Sequence, residues 1–161
     1  MLVVMPLGML MGGIIFDLLA KGEKKADRAK VAQTLYGAGV ISGLIAALPG
    51  VWDWSFIPGG TRAKTIGAIH GSGNVLVLAL FGLSWLLRRD DVTNPSKTAK
   101  ALALSGFAVS GVTAWLGGEM SYRLGVGVDK GANLDSPSSL SGKKAGRFHG
   151  SHRVWGGDLD S

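Results

Sequence analysis

Few residues in this chain of 161 are equipped for chemistry, and one of them stands apart. His70 is the single ionisable group inside Thr65 to Leu87, a run of 23 residues without an Asp, Glu, Lys or Arg. Gly67 lies three residues before it and Asn74 four after, so the two flank the imidazole on one helical face, and Gly71 follows it directly. An imidazole backed by small residues can ligate a haem iron, because a macrocycle needs a helix surface free of bulk. It can equally hydrogen-bond between helices or carry a proton. The other candidates are Asp53, Arg62, Glu119, Tyr122 and Arg123, together with Asp17. His149 and His152 have metal-compatible spacing, but their glycine-rich segment offers no clear third ligand, so no metal site is expected there. With no cysteine in the chain, thiolate nucleophiles, disulfides, thiolate zinc sites and cysteine-ligated clusters are all excluded. No nucleotide loop, nucleophile elbow or zinc-protease motif is present, so no catalysis is expected.

The elements that must position these residues are written in the distribution of charge. Four runs lack any charged residue: Met1 to Phe16, Val31 to Trp52, Thr65 to Leu87 and Ala101 to Gly118, together 79 residues. All 28 charged side chains lie outside them. A soluble helix keeps a polar face, whereas about 20 apolar residues cross a bilayer core. The expected fold is therefore all-α, a bundle of four transmembrane helices over residues 1–124, with spans at about 2–19, 31–52, 65–87 and 101–120. Residues 125–161, rich in Gly, Ser and charge, read as an extended tail that could clasp a partner.

The first basic residue, Lys21, follows the first apolar run, the reverse of a cleaved leader, so that run is expected to be a retained helix. Residues 21–30 carry five Lys/Arg and residues 88–100 carry four, against Arg62, Lys64, Arg123 and Lys130 on the other side. The positive-inside rule then puts the two basic connections in the cytoplasm and both termini outside, in a bacterial inner membrane. The net charge of +6 is thus a topology signal, and no nucleic-acid partner is expected. On this topology Asp53, Arg62, His70, Asn74, Glu119, Tyr122 and Arg123 gather at the outer end. Such a rim could hold a cation or proton, dock a partner, or fix the loops through salt bridges. Glu119 and Arg123 are spaced for an i,i+4 pair if the helix continues. Asp17 closes the first span at the inner end and is expected to pair with Lys or Arg there. Trp52, Trp54, Phe56, Trp85, Trp115 and Tyr122 fit the two interfaces, and Pro49 is expected to close the second span.

Ser42–Val51 (SGLIAALPGV) and Ser110–Glu119 (SGVTAWLGGE) agree at five of ten positions at an offset of 68. Two similar helix hairpins in one orientation would explain the match. Gly8 and Gly12, Gly39 and Gly43, and Gly67 and Gly71 are each four apart. Lipid gives helices no hydrophobic reason to associate, so these small residues are expected to pack the helices together.

Several stretches carry a family resemblance. They are Val4-Met5-Pro6-Leu7-Gly8 with Phe16-Asp17-Leu18-Leu19, Ala46 to Trp54 (AALPGVWDW), Ile57 to Ala63 (IPGGTRA), His70-Gly71 with Asn74, Ser84 to Arg88 (SWLLR), and Trp115 to Glu119 (WLGGE) with Tyr122 to Val128 (YRLGVGV). In these the chain resembles the bacterial membrane proteins grouped as domain of unknown function 2231. The resemblance implies a four-helix membrane domain and no established activity. Some relatives carry a Rieske iron–sulfur domain after the equivalent of Val128, which associates the family with electron transfer on the outer face. Many members begin with a His-Pro pair ahead of the Pro-Leu-Gly stretch, and this chain starts at Met1 without it.

The expected function is a non-catalytic accessory or scaffold subunit of a larger membrane complex engaged in redox or energy conversion, with the lipid bilayer and other membrane subunits as partners. A haem-binding electron carrier using His70 is the alternative. A small transporter or channel with a polar path through Asp53, His70 and Glu119 is the second.

Overall fold

A computed structural model describes residues 4–128, and within them the regular structure is entirely helical. The chain forms α1 (Val4–Leu18), α2 (Lys25–Ser55), α3 (Arg62–Leu87) and α4 (Lys97–Gly118), with a 3-10 turn at Gly22–Lys24 and a π turn at Glu119–Arg123. α1 packs mainly on α2, and α3 on α4. Three stretches are long and apolar enough to cross a membrane: Gly22–Ser55, Arg62–Leu87 and Lys97–Arg123. With 15 residues α1 is the shorter apolar helix, about 22 Å long against a hydrocarbon core of about 30 Å. The chain divides after Leu124. Beyond that point Gly125–Val128 are described, so the expected clasping tail and the pair His149 and His152 lie outside the described residues.

α2, α3 and α4 each begin earlier than the spans expected from charge. α2 begins at Lys25, so most of the basic stretch 21–30 is helix rather than loop. Its far end also differs, because the helix runs through Pro49 to Ser55. Proline cannot donate to the carbonyl of Ile45, but the bonds of the neighbouring turns hold the helix across one missing link, as membrane helices commonly do. Arg28 caps the end of α1, its Nη1 donating to the Leu19 carbonyl at 2.7 Å. Lys64 does the same for α2, its Nζ donating to the carbonyls of Trp54 at 2.7 Å and Ser55 at 3.3 Å. Gly60, at φ 76°, turns the chain into Thr61, whose side chain accepts from the Lys64 amide as the N-cap of α3. Ser96 caps α4 likewise through the Ala99 amide.

All four helices meet in a core of Leu10, Ile14, Ala32, Tyr36, Val77, Phe81 and Ala103. The Tyr36 and Phe81 rings lie 5.5 Å apart at its centre. Outside it, large apolar side chains point away from the bundle on every helix, among them Ile15, Leu48, Val75 and Val112. In water such a surface would aggregate; against lipid it is the ordinary exterior.

Glycines let the helices approach, by a set that overlaps only in part with the one their spacing suggests. A Cβ at Gly39 would lie 2.7 Å from Leu10, at Gly43 2.5 Å from Leu78, at Gly67 2.6 Å from Trp54, and at Gly12 3.2 Å from Leu35. Gly8 and Gly71 meet nothing within 4 Å, which corrects their expected role in packing these four helices. The i,i+4 rule marks a face, and only a large side chain arriving from the neighbour turns that face into a contact. Gly13 against Tyr36 and Gly73 against Thr113 meet that condition without forming such a pair, and Gly106, spaced four from Ser110 in a weaker version of it, meets Phe81.

Candidate functional site

The polar residues of the bundle fall into two groups, one at each end. At the end that carries the basic connections, Arg88 is 1% exposed. Its Nη1 and Nη2 donate to the two carboxylate oxygens of Asp17 at 2.9 and 2.8 Å. Its Nε donates to Ser84 Oγ at 3.1 Å, and Ser84 in turn donates to the Ala99 carbonyl at 2.6 Å. The guanidinium carbon sits 4.7 Å from the centre of the Tyr36 ring. One side chain thereby engages α1 through Asp17, α2 through Tyr36, α3 through Ser84, and α4 through the Ser84 hydroxyl. The planar fork of arginine is what permits this, since lysine has neither the two parallel donors nor a face to stack. Beside the knot, Gln33 Nε2 donates to the Trp85 carbonyl at 3.0 Å, and the Trp85 indole covers Gly37. Gln33 Oε1 and the Tyr36 hydroxyl are buried there without a hydrogen-bond partner among the described residues.

The two basic connections lie at the same end, because Lys25 Nζ donates to Asn94 Oδ1 across them. Within the second connection, the Thr93 hydroxyl and the Asn94 amides donate to Asp91 and hold its carboxyl below the ordinary range.

At the opposite end, His70 lies eight residues into α3. Its Nδ1 is 2.8 Å from the Thr113 carbonyl on α4, and its Nε2 is 2.9 Å from Asn74 Nδ2. A carbonyl can only accept, so Nδ1 carries the proton. The neutral ring then accepts at Nε2 from the Asn74 amide. Gly117 makes room for the ring: a Cβ there would stand 3.2 Å from His70 Cε1. Separately, Arg62 Nη2 donates to Glu119 Oε1 at 2.7 Å, with Arg62 58% and Glu119 16% exposed at the side chain.

The expected rim is therefore not one site. His70 and Asn74 form one set, Arg62 and Glu119 another, and Asp53, Tyr122 and Arg123 are exposed without a side-chain partner among the described residues. The Glu119–Arg123 pair does not form. The chain widens into a π turn here, with the Leu124 amide donating to the Glu119 carbonyl five residues back, and this carries position i+4 off the shared face. Asp53 and Glu119, which lie near the ends of α2 and α4 two positions apart in the expected repeat, differ: Glu119 is bonded and Asp53 has no side-chain partner among the described residues. Ser42 and Ser110, equivalent in it, do behave alike, each donating to the carbonyl three residues back.

A haem ligand must offer iron a free ring nitrogen, and both of His70 are engaged inside the bundle, so the residues present do not fit that group. The path through Asp53, His70 and Glu119 is not assembled either, since His70 bonds along α3 and to α4 while Glu119 bonds Arg62. An open groove on α3, lined by Ala68, Ile69, Ser72, Gly73 and Leu76, holds none of the ionisable groups. Among the described residues, no three His, Asp or Glu side chains come together as a metal set.

Sequence reasoning missed Arg88, which reads as the first residue of a basic loop. Two signals were available: it directly follows an uncharged run, and it stands four residues after a serine within that run, the spacing of a shared helix face.

An all-helical bundle with an apolar exterior and long apolar helices defines a membrane protein. The chain belongs to the DUF2231 family of predicted membrane proteins, whose model matches residues 1–130. No curated protein and no solved structure matches it.

Proposed function

We propose that the protein is a non-catalytic, four-span subunit that serves as scaffold or accessory component of a larger membrane assembly. The supporting observation is that Arg88, Ser84 and His70 spend their polar atoms in holding helices to one another. Arg88 ties four helices, and His70 has no ring nitrogen left over. A bundle so arranged offers neighbours its apolar exterior rather than a reactive centre. The basic end faces the cytoplasm in this reading and both termini face outward, with residues 125–161 available to a partner on that side. The Rieske domains carried by some of the proteins it resembles make redox and energy-converting complexes the first assemblies to examine. Purification in gentle detergent followed by mass spectrometry tests the proposal. Stoichiometric copurifying membrane subunits are expected, and a lone monomer from native membranes would contradict it.

A further inference from the structure

Each end of the bundle holds both engaged and unengaged cations, Arg123 being exposed and unpaired among the described residues at the end opposite the basic connections. At the end opposite the basic connections, Arg62 is paired with Glu119, and Lys64 is bonded to two carbonyls with its ammonium 3.9 Å from the centre of the Trp54 ring. At the basic end, Lys30, Arg89, Lys97 and Lys100 are exposed and form no ion pair among the described residues, although Asp27, Asp90 and Asp91 lie in the same connections. Two of these cations fall at one level by register, Lys30 on α2 and Arg89 just past the end of α3. The bond from Gln33 to the Trp85 carbonyl fixes the register of α2 against α3. Lys30 stands one turn from Gln33 and Arg89 one turn from Trp85, both toward the basic end. The Arg89 guanidinium lies 5.6 Å from the centre of the Trp85 ring. Trp85 is half-buried, with the nitrogen edge of its indole laid against Gly37.

We propose that the basic end of the seam between α2 and α3 binds the headgroup of an anionic phospholipid, with Lys30 and Arg89 on the phosphate and the Trp85 indole at the glycerol level. Charge complementarity and depth argue for it: two free cations stand on the basic side of an amphipathic ring where apolar helix surface meets the basic connections, the level at which headgroups lie. Arg88, one residue away, is unavailable because Asp17 neutralises it. The proposal rests on the reading of the chain as a membrane-spanning subunit.

The test is native mass spectrometry of the full chain, released from liposomes of phosphatidylcholine alone or mixed with phosphatidylglycerol. Phosphatidylglycerol is expected to stay bound in preference to phosphatidylcholine. Lys30→Gln with Arg89→Gln should weaken that retention roughly thirtyfold, the factor for two basic contacts of about 1 kcal/mol each at an anionic surface. Lys97→Gln with Lys100→Gln should change it far less. Equal retention of both lipids, or equal loss with the α4 pair, would overturn the site. Displacement of the lipid by soluble glycerol phosphate would overturn the commitment to a lipid. Failure to enter either liposome would overturn the membrane reading together with this one, whereas insertion without selectivity would overturn this one alone.

Discussion

The bundle is fastened at both ends by a cation and a carboxylate, yet the two fastenings are different objects. Arg88 and Asp17 are 1% and 11% exposed and meet through two parallel bonds, while Arg62 and Glu119 are 58% and 16% exposed and meet through one. Taking charges out of water is costly, and the buried pair persists because the geometry satisfies both oxygens and three guanidinium nitrogens at once. The exposed pair gains little, since water and salt compete for it. Burial decides what breakage costs, and the number of helices held decides what breakage disrupts. The first pair joins α1 to α3 within a cluster touching all four helices; the second joins the start of α3 to the end of α4.

That contrast can be broken most sharply at Asp17. Asp17→Asn should destabilise the detergent-solubilised bundle by about 3–5 kcal/mol, because it strands a buried guanidinium. Asp17→Leu combined with Arg88→Met should recover most of the loss, since an apolar pair of similar volume carries no desolvation cost. A double variant as unstable as the single one would refute the ion-pair account. Next in size is Gly13→Ala on the same side of the core. The added Cβ would lie 2.6 Å from the buried Tyr36 ring, and overpacking of this kind costs about 1–3 kcal/mol. Gly8→Ala, with nothing within 4 Å, is the control and should leave the unfolding midpoint unmoved.

At the opposite end the effects shrink. His70→Ala unpairs the Asn74 amide and removes a bond to the Thr113 carbonyl, worth about 1 kcal/mol for polar contacts between membrane helices. A drop matching that of Asp17→Asn would mean that His70, not Arg88, organises the bundle. Arg62→Ala should cost less than about 0.5 kcal/mol and lose even that at high salt. A larger, salt-insensitive loss would show that this pair is shielded from water.

The number and order of the helices were legible in the sequence because uncharged runs of this length have few other homes. Their ends were less so. Charge reports where a helix leaves the hydrocarbon rather than where it stops, so α2 continues into the basic stretch and α4 begins at Lys97. Pro49 reads as a terminator in isolation, but the helix beyond it, through Ser55, holds it in place. The candidate site divided in the same way. His70 and Asn74 were found as neighbours because i,i+4 spacing is a property of a single helix. Thr113 was not, because its partnership depends on how α3 docks on α4. Arg88 was hidden by the rule that located the spans: assigning every charge to a connection leaves none for the core. The π turn at Glu119–Arg123 has no sequence signature, and it dissolves a pair that ideal helix geometry would join.

In the proposed topology the two ends of the bundle lie on opposite sides of a membrane, with the basic one inside. The absence of native cysteine makes a direct measurement simple. Single cysteines would be placed at Gly59, in the connection between α2 and α3, and at Asp90, in the connection between α3 and α4, and intact cells exposed to a membrane-impermeant maleimide. Labelling of Gly59→Cys at once, and of Asp90→Cys after permeabilisation alone, is the predicted result. Labelling of both in intact cells, or of Asp90→Cys alone, would contradict it.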